Sequence, residues 1–299
     1  MLSTAEIDWI ERSIGSGARL REAVPLAGAV ASKPYRCTVE LAGSLTNFVL
    51  RRHTMWGGGC GDPEMARQEA WALTTASTVD IPAPGLIAFD TGGEDHCPLT
   101  LMSFLPGRVD LHPTDVDAWL GELSRAMFVI HQTPADDAPC DYFPWFFAEK
   151  LAPPAWSKQP DAWARAIEVA LGPAPVGHAH FIHRDFHPCN VLFEDGRVSG
   201  VVDWPNACRG QAGVDIAHCR WNLALMYGVD MADRFVDAYR DLTDEGWEYH
   251  PYFDLVEICE KTFEPNVYPG WPAFGLTGLT APLMVERTEA LLSSALGRL

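Results

Sequence analysis

The sequence lacks any apolar run of the roughly 20 residues that a membrane-spanning helix needs. Its first 15 residues carry acidic side chains and have no basic stretch followed by an apolar run, so they do not resemble a signal peptide. Hydrophobic residues nevertheless make up 47% of the 299 residues, enough for a large buried core. We therefore expect a globular protein of one or two domains, without a membrane partner.

Basic residues are also scarce: 22 Lys and Arg stand against 40 Asp and Glu, for a formal net charge of -18. Such a surface repels nucleic acid and anionic membranes, so neither is expected as a partner. An acidic surface favours a cationic small molecule. Many acidic cytoplasmic proteins, however, carry their charge for solubility alone, and both interpretations stay open.

Closely spaced cysteines are missing as well. The eight cysteines are scattered along the chain and include no C-x-x-C pair. In a chain of this length the pattern is typical of buried or incidental thiols in a reducing compartment. The sequence therefore predicts free cysteines and a cytoplasmic location.

The most informative stretch that is present covers residues 178–203, HAHFIHRDFHPCNVLFEDGRVSGVVD. A polar loop between apolar strands carries Asp185 and, five residues later, Asn190; a hairpin then leads to Asp203. Phosphoryl transfer needs this set, because one carboxylate takes the proton of the attacking hydroxyl while an amide and a second carboxylate hold Mg²⁺ on the phosphates. The H-R-D-x-x-x-x-N pattern followed by a hairpin and an Asp predicts a kinase-type catalytic loop.

Two other interpretations of this stretch are open. Its four clustered histidines could bind a metal ion; they are His178, His180, His183 and His187. The hairpin could also be purely structural. Either alternative leaves the order of acid, amide and acid without an explanation.

Two strands are predicted upstream, at 35–41 and 48–52, joined by a turn at 42–47. Side chains two residues apart in a strand share a face, so Val49 and Arg51 point the same way and Arg52 points the other. A small apolar residue beside a cation, under a glycine-containing turn, suits a cover over a nucleotide with the cation on its phosphates. A surface strand with a charged end is the alternative.

A helix is predicted to begin after Asp62, which is a good N-cap and precedes a proline. Helical spacing puts Met65, Glu69 and Leu73 on one inward face. A buried glutamate is costly unless it is paired, and Arg51 is the nearest candidate partner. A solvated glutamate at the edge of that face is the alternative.

Strands at 86–89 and 98–104, a hinge at 105–107 and a mainly helical remainder complete the prediction. The predicted helices cover 115–131, 214–227, 231–242, 252–262 and 283–296. Residues 134–160 form an insertion rich in proline, aromatic and acidic residues. Such a segment could form the wall of a pocket for an amine-bearing ligand, or it could be a packed irregular insertion.

With these motifs, residues 35–242 resemble the aminoglycoside phosphotransferase and choline kinase-like family of small-molecule kinases, most specifically at HRDFHPCNVLF, VVDW and GVDIAH. The resemblance implies an α+β, protein-kinase-like fold, with an antiparallel-sheet N-lobe with one helix over 1–104 and a mainly helical C-lobe over 105–299. It also implies an enzyme that transfers the γ-phosphate of ATP or GTP, with Mg²⁺, to a hydroxyl of a small acceptor. An amine-bearing acceptor such as an aminoglycoside or related antibiotic is expected; a macrolide, a choline-like amine or a sugar is the alternative.

The same resemblance implies roles for individual residues. Asp185 would be the catalytic base, Asn190 and Asp203 the metal ligands, and Asp215 a structural acid. The residues assigned to the nucleotide are Ser44, Thr46, Val49, Arg51, Glu69, Ser103 and Leu105. Those assigned to the acceptor, on the insertion and the helix at 252–262, are Asp141, Trp145, Glu257 and Glu260.

Two other classes of protein share this loop. A protein kinase needs room for an activation segment, but only the eleven residues 204–214 separate Asp203 from Asp215, and no A-P-E follows. A nucleotide-binding pseudokinase would have lost one of the three loop residues, and none is lost. A small-molecule kinase, monomeric or dimeric, is therefore the preferred interpretation.

Overall fold

The computed structural model describes residues 1–26, 33–55, 59–261, 263 and 265–299. Helix α1 (Thr4–Ile14) comes first, and a capping box between Ser3 and Glu6 fixes its start. A five-stranded antiparallel sheet follows in the order β1-β2-β3-β5-β4. Its strands are β1 (Arg19–Pro25), β2 (Lys33–Leu41), β3 (Ser44–Arg52), β4 (Leu86–Asp90) and β5 (Leu99–Ser103).

Helix α2 (Pro63–Ala76) lies between β3 and β4 in the chain. It begins after Asp62, as the sequence predicts, and the Asp62 side chain caps it by accepting a hydrogen bond from the Glu64 amide. Its apolar face packs into the large core of the following helices, where Leu73 and Met102 are buried together. A separate small core forms between α1 and the sheet around Ile10 and Leu50.

The rest of the chain is mainly helical, as predicted. Its helices are α3 (Val116–His131), α4 (Pro160–Ala170), α5 (Ala212–Tyr227), α6 (Val229–Arg240), α7 (Tyr252–Glu260) and α8 (Ala281–Leu296). Two short antiparallel strand pairs interrupt them: β6 (His180–Ile182) with β9 (Cys208–Gly210), and the hairpin of β7 (Val191–Glu194) with β8 (Arg197–Val201). Helix α4 is absent from the prediction. It packs against α7 and α8 and buries Trp163 and Ile167. No helix among the described residues is long and apolar enough to cross a membrane.

The turn between β2 and β3 differs from the prediction. It contains only Ala42 and Gly43, both at positive φ, and Ser44 already pairs with Leu41. Ser44 and Thr46 are therefore exposed strand residues. At about 3.4 Å per residue they lie roughly 17–24 Å from Arg51, which is at the other end of the same strand. Their assignment to the nucleotide phosphates is wrong.

The cysteine prediction is also wrong for two of the eight residues. Cys60, in the β3–α2 connection, forms a disulfide with Cys97, in the β4–β5 connection. Neighbouring backbone contacts join the same two connections, including the His53 amide to the Pro98 carbonyl at 2.9 Å. The other six cysteines are free, as predicted. The two cysteines are 37 residues apart in the sequence, so their spacing alone does not predict the pairing.

Replacing Cys60 with Ser is expected to destabilise the protein by about 2–4 kcal/mol, because the cross-link restricts the unfolded chain. The free energy of unfolding in urea, measured with and without reductant, checks this. Reductant should destabilise the wild type and leave Cys60→Ser unchanged. Cys140→Ser, at a free and partly buried cysteine, is the matched control. Eight titratable thiols in the denatured, unreduced wild type would contradict the disulfide.

Candidate active site

The catalytic-loop motif is held by Asp215 in the first turn of α5. Its carboxylate accepts the backbone amides of His183 at 2.8 Å and Arg184 at 2.6 Å, and the His131 ring lies 3.1 Å from it. Burial opposes ionisation of Asp215, but these hydrogen bonds outweigh it and hold its pKa below the usual value. Asp215 therefore fixes the entry to the loop, the role that the resemblance implies.

Arg184 of the same loop is enclosed by the predicted insertion. Its guanidinium lies over the rings of Tyr142, Phe143 and Trp145 at 5.1, 4.6 and 4.0 Å and donates to the Phe143 carbonyl. Arg184 has a φ of +63°, an unusual backbone conformation for a residue with a side chain. The aromatic residues of the insertion thus support the loop.

Asp185, Asn190 and Asp203 lie at one cavity of about 1480 Å³. The Asn190 side-chain amide donates to the Asp185 carbonyl at 2.9 Å, and the Asn190 carbonyl accepts the Val202 amide at 2.9 Å. Asp203 lies two residues after the end of β8 and has a φ of +72°. The hairpin therefore brings the three residues together, as the sequence predicts.

Arg51 connects the sheet to this loop. Its Nε lies 2.7 Å from Glu69 Oε1 on α2, and its Nη1 lies 2.9 Å from Asp203 Oδ1. Glu69 is fully buried and also contacts the His53 ring at 3.2 Å. Burial raises the pKa of Glu69, but Arg51, with help from His53 and Thr100, more than compensates and keeps the pKa below the usual value. The salt bridge between Arg51 and Glu69 is the one that the sequence predicts.

The cavity wall includes four of the residues assigned to the nucleotide: Val49, Arg51, Ser103 and Leu105. Among the described residues, Ser44 and Thr46 do not line the cavity. Leu26 and Pro34, on either side of the β1–β2 connection, do line it. Pro34, unlike the β2–β3 turn, lies at the Arg51 end of the sheet, since it pairs with Arg51.

A sequence profile of the phosphotransferase enzyme family matches residues 39–252. The chain belongs to this family. The membership confirms the predicted class of enzyme, a phosphotransferase. Homoserine kinase from Chelativorans sp. (strain BNC1) is 31% identical over 138 residues, which cover 41% of this chain and 40% of the relative. The chain thus matches less than half the length of that curated relative.

Solved structures agree on the fold of this phosphotransferase. A thermostable mutant of aminoglycoside phosphotransferase APH(4)-Ia, in ternary complex with AMP-PNP and hygromycin B, aligns with a TM-score of 0.61 at 17% identity, over 98% of this chain and 100% of that one. Macrolide 2'-phosphotransferase MphH from Brachybacterium faecium aligns with a TM-score of 0.56 at 17% identity, over 96% of both chains. The kinase-like fold is therefore established.

The four residues assigned to the acceptor do not line the cavity in the described part of the phosphotransferase. Asp141 is exposed and pairs with Arg209 at 2.9 Å, and Trp145 covers Arg184. Glu260 accepts the Trp145 amide at 2.8 Å, and Glu257 contacts His218 and Lys261 at 3.0 and 3.3 Å. Glu257 thus supports His218 and Lys261 of the cavity wall from behind, and the described structure brings none of the four residues to the cavity itself.

Sequence reasoning missed the residues that form this wall. They include His218, Trp221 and Asn222 on α5, and Lys261, Tyr268 and Trp271 after α7. One signal was available: His218 follows Asp215 by three residues, so it lies on the same helix face as the acid that holds the loop. Nothing comparable in the sequence points to the residues after α7.

Oxygen ligands suited to Mg²⁺ are present at the cavity. Asp203 is a carboxylate, and Asn190 uses its Nδ2 to bind the Asp185 carbonyl, which leaves its Oδ1 as an oxygen donor. Burial raises the pKa of Asp203, and Arg51 opposes that rise. A divalent cation would favour the ionised form of Asp203 further. The donor set therefore fits the metal that the sequence predicts.

Proposed function

We propose that this protein transfers the γ-phosphoryl group of ATP to a hydroxyl of a small molecule, with Mg²⁺. One observation carries the proposal. Asp185, Asn190 and Asp203 line a single cavity, and Arg51, held by its salt bridge to Glu69, lines the same cavity and contacts Asp203. This is the set of groups that phosphoryl transfer requires.

The roles follow from position. Asp185 accepts the proton of the attacking hydroxyl, and Arg51 binds the phosphates while Glu69 holds it in place. Val49, Ser103 and Leu105 lie where the sheet meets the rest of the chain, and they contact the base of the nucleotide. Asn190 and Asp203 hold Mg²⁺, which neutralises charge on the phosphates when it is bound.

For the acceptor, the cavity favours a hydroxylated molecule with a largely apolar body over a polyamine. Asp185 and Asp203 are the only acidic side chains among its described lining residues. Trp221, Trp271 and Phe274 provide apolar surface there, while Lys261 adds positive charge. A polyamine would find few carboxylates to replace its hydration.

Measurement of ADP release with a panel of acceptors tests the proposal. The panel contains a macrolide, hygromycin B, streptomycin and homoserine, each with ATP and with GTP. We expect turnover of a neutral or monocationic acceptor, with a KM that changes little between 50 mM and 500 mM salt, about the range over which exposed ion pairs become screened. Preference for streptomycin with a strongly salt-dependent KM would contradict the apolar acceptor and leave the kinase proposal standing.

Asp203→Ala and Asn190→Ala are each expected to weaken ATP binding in the presence of Mg²⁺ by about tenfold or more, the scale of losing one metal contact. Titration calorimetry with and without Mg²⁺ measures this. Glu194→Ala, at an exposed position of the same hairpin, is the matched control and should bind like the wild type. The metal role fails if the wild type binds ATP equally well in both conditions and the variants match it.

A further inference from the structure

His218 connects two carboxylates that lie far apart in the sequence. Its Nε2 is 3.0 Å from Asp185 Oδ1, and its Nδ1 is 3.0 Å from Glu257 Oε1 on α7. A carboxylate oxygen accepts hydrogen bonds, so both ring nitrogens donate and the ring is an imidazolium. The His218 side chain is only 12% exposed, which makes both interactions strong.

Other groups around His218 agree with this arrangement. Lys261 contacts Glu257 at 3.3 Å, and the His187 ring lies 5.7 Å from the His218 ring. The Asn222 Nδ2 lies 3.2 Å from Nε2 and donates a hydrogen bond to the His218 backbone carbonyl at 3.0 Å. Burial alone would lower the pKa of His218, but Glu257 and Asp185 raise it to about 10. Burial lowers the pKa of His187 to about 4, so that ring is neutral at pH 7.

We propose that His218 is a positioning residue for the catalytic base: it holds Asp185 Oδ1 so that Oδ2 is presented to the acceptor hydroxyl, and Glu257 fixes the orientation of the His218 ring. The inference rests on the proposed function, in which Asp185 takes the proton. In the described part of the chain, the other hydrogen bonds of Asp185 are at its backbone, from its amide to the His183 ring and from Asn190 to its carbonyl, while His187 Nε2 lies 3.9 Å from Oδ1, beyond hydrogen-bond distance. Because those hydrogen bonds are to the backbone, they do not fix the rotation of the carboxylate, and the contact with His218 Nε2 is the one that does.

The chemical step balances without consuming His218. The acceptor oxygen bonds to the γ-phosphorus, its proton passes to Asp185 Oδ2, and the bond from that phosphorus to the bridging oxygen breaks to release ADP. The imidazolium stays protonated throughout.

His218→Ala is expected to lower kcat by on the order of 10²-fold, the scale of a misplaced reacting group, with little change in the KM for ATP. His218→Gln, which keeps one hydrogen-bond donor without the charge, should recover part of the loss. ADP release is measured with the acceptor that turns over fastest in the panel, or with water as acceptor. His178→Gln, at an exposed position, is the control.

Imidazole ¹⁵N NMR of the protein alone gives a second readout, which does not depend on turnover. At pH 7.5, where a free imidazole with a pKa of about 6.5 is mainly neutral, His218 should carry protons on both nitrogens. Asp185→Asn and Glu257→Gln should each lower its pKa. A neutral His218 ring, or a kcat of His218→Ala within twofold of wild type, overturns the inference. If Asp185→Asn itself retains full turnover, the proposed function fails instead.

Discussion

Asp185→Asn is expected to lower the rate of phosphoryl transfer by roughly 10²–10⁴-fold, the usual contribution of a positioned general base, while ATP still binds. The amide has the same shape but cannot accept the hydroxyl proton. The backbone of Asp185 is fixed by His183 and Asn190, so the loop should keep its path. ADP release measures the first effect, and titration calorimetry with ATP and Mg²⁺ measures the second.

Asp195→Asn is the matched control for this variant, since Asp195 is an exposed aspartate in the turn of the next hairpin. It makes the same chemical change outside the cavity and should keep the wild-type rate. Asp185→Asn with more than about a tenth of that rate would fall outside the range for a general base. The base would then have to be another group.

The catalytic loop could be predicted from the sequence because its geometry is local. Asp185, Asn190 and Asp203 lie within one loop and one hairpin, so residue type and spacing nearly determine their arrangement. The Arg51–Glu69 salt bridge was also accessible, because the alternation of β3 and the period of α2 each place one charge on an inward face. In both cases a short-range pattern decides the outcome.

Long-range packing decides what the sequence did not predict. His218 contacts both Asp185 and Glu257 only because α5 packs against α7 and against the loop. The acidic residues of α7 were therefore assigned to a cationic ligand, when the cations that neutralise them are His218 and Lys261 of the chain itself. Charge counted along a helix does not reveal which charges a neighbouring element already balances.

The misplaced Ser44 and Thr46 have a different cause. A turn of six residues and a turn of two residues both agree with the composition of 42–47, but they imply different strand lengths. The register of β2 against β3 then sets which end of the hairpin lies near Arg51. The disulfide was missed for a similar reason, since Cys60 and Cys97 are brought together by β3 pairing with β5.

Arg51→Met and Glu69→Gln are expected to be strongly non-additive in kcat/KM for ATP, because either change breaks the same unit. Each single variant should lose about tenfold or more, and the double variant should be little worse. Arg51→Met should also cost roughly 3–5 kcal/mol of stability, since it leaves a fully buried carboxylate without its cation. Glu69→Gln in the same background should recover part of that stability.

The neighbouring salt bridge provides the control for this double-mutant cycle. Arg52 lies on the opposite face of β3 and pairs with Glu6 of α1 at 2.6 Å, away from the cavity. Arg52→Met and Glu6→Gln should also be non-additive in the free energy of unfolding, but neither should change kcat/KM for ATP. Urea unfolding and ADP release measure the two effects separately. Additive losses of kcat/KM in the first cycle, or equal losses in the second, would show that Arg51 and Glu69 do not act as one nucleotide-binding unit.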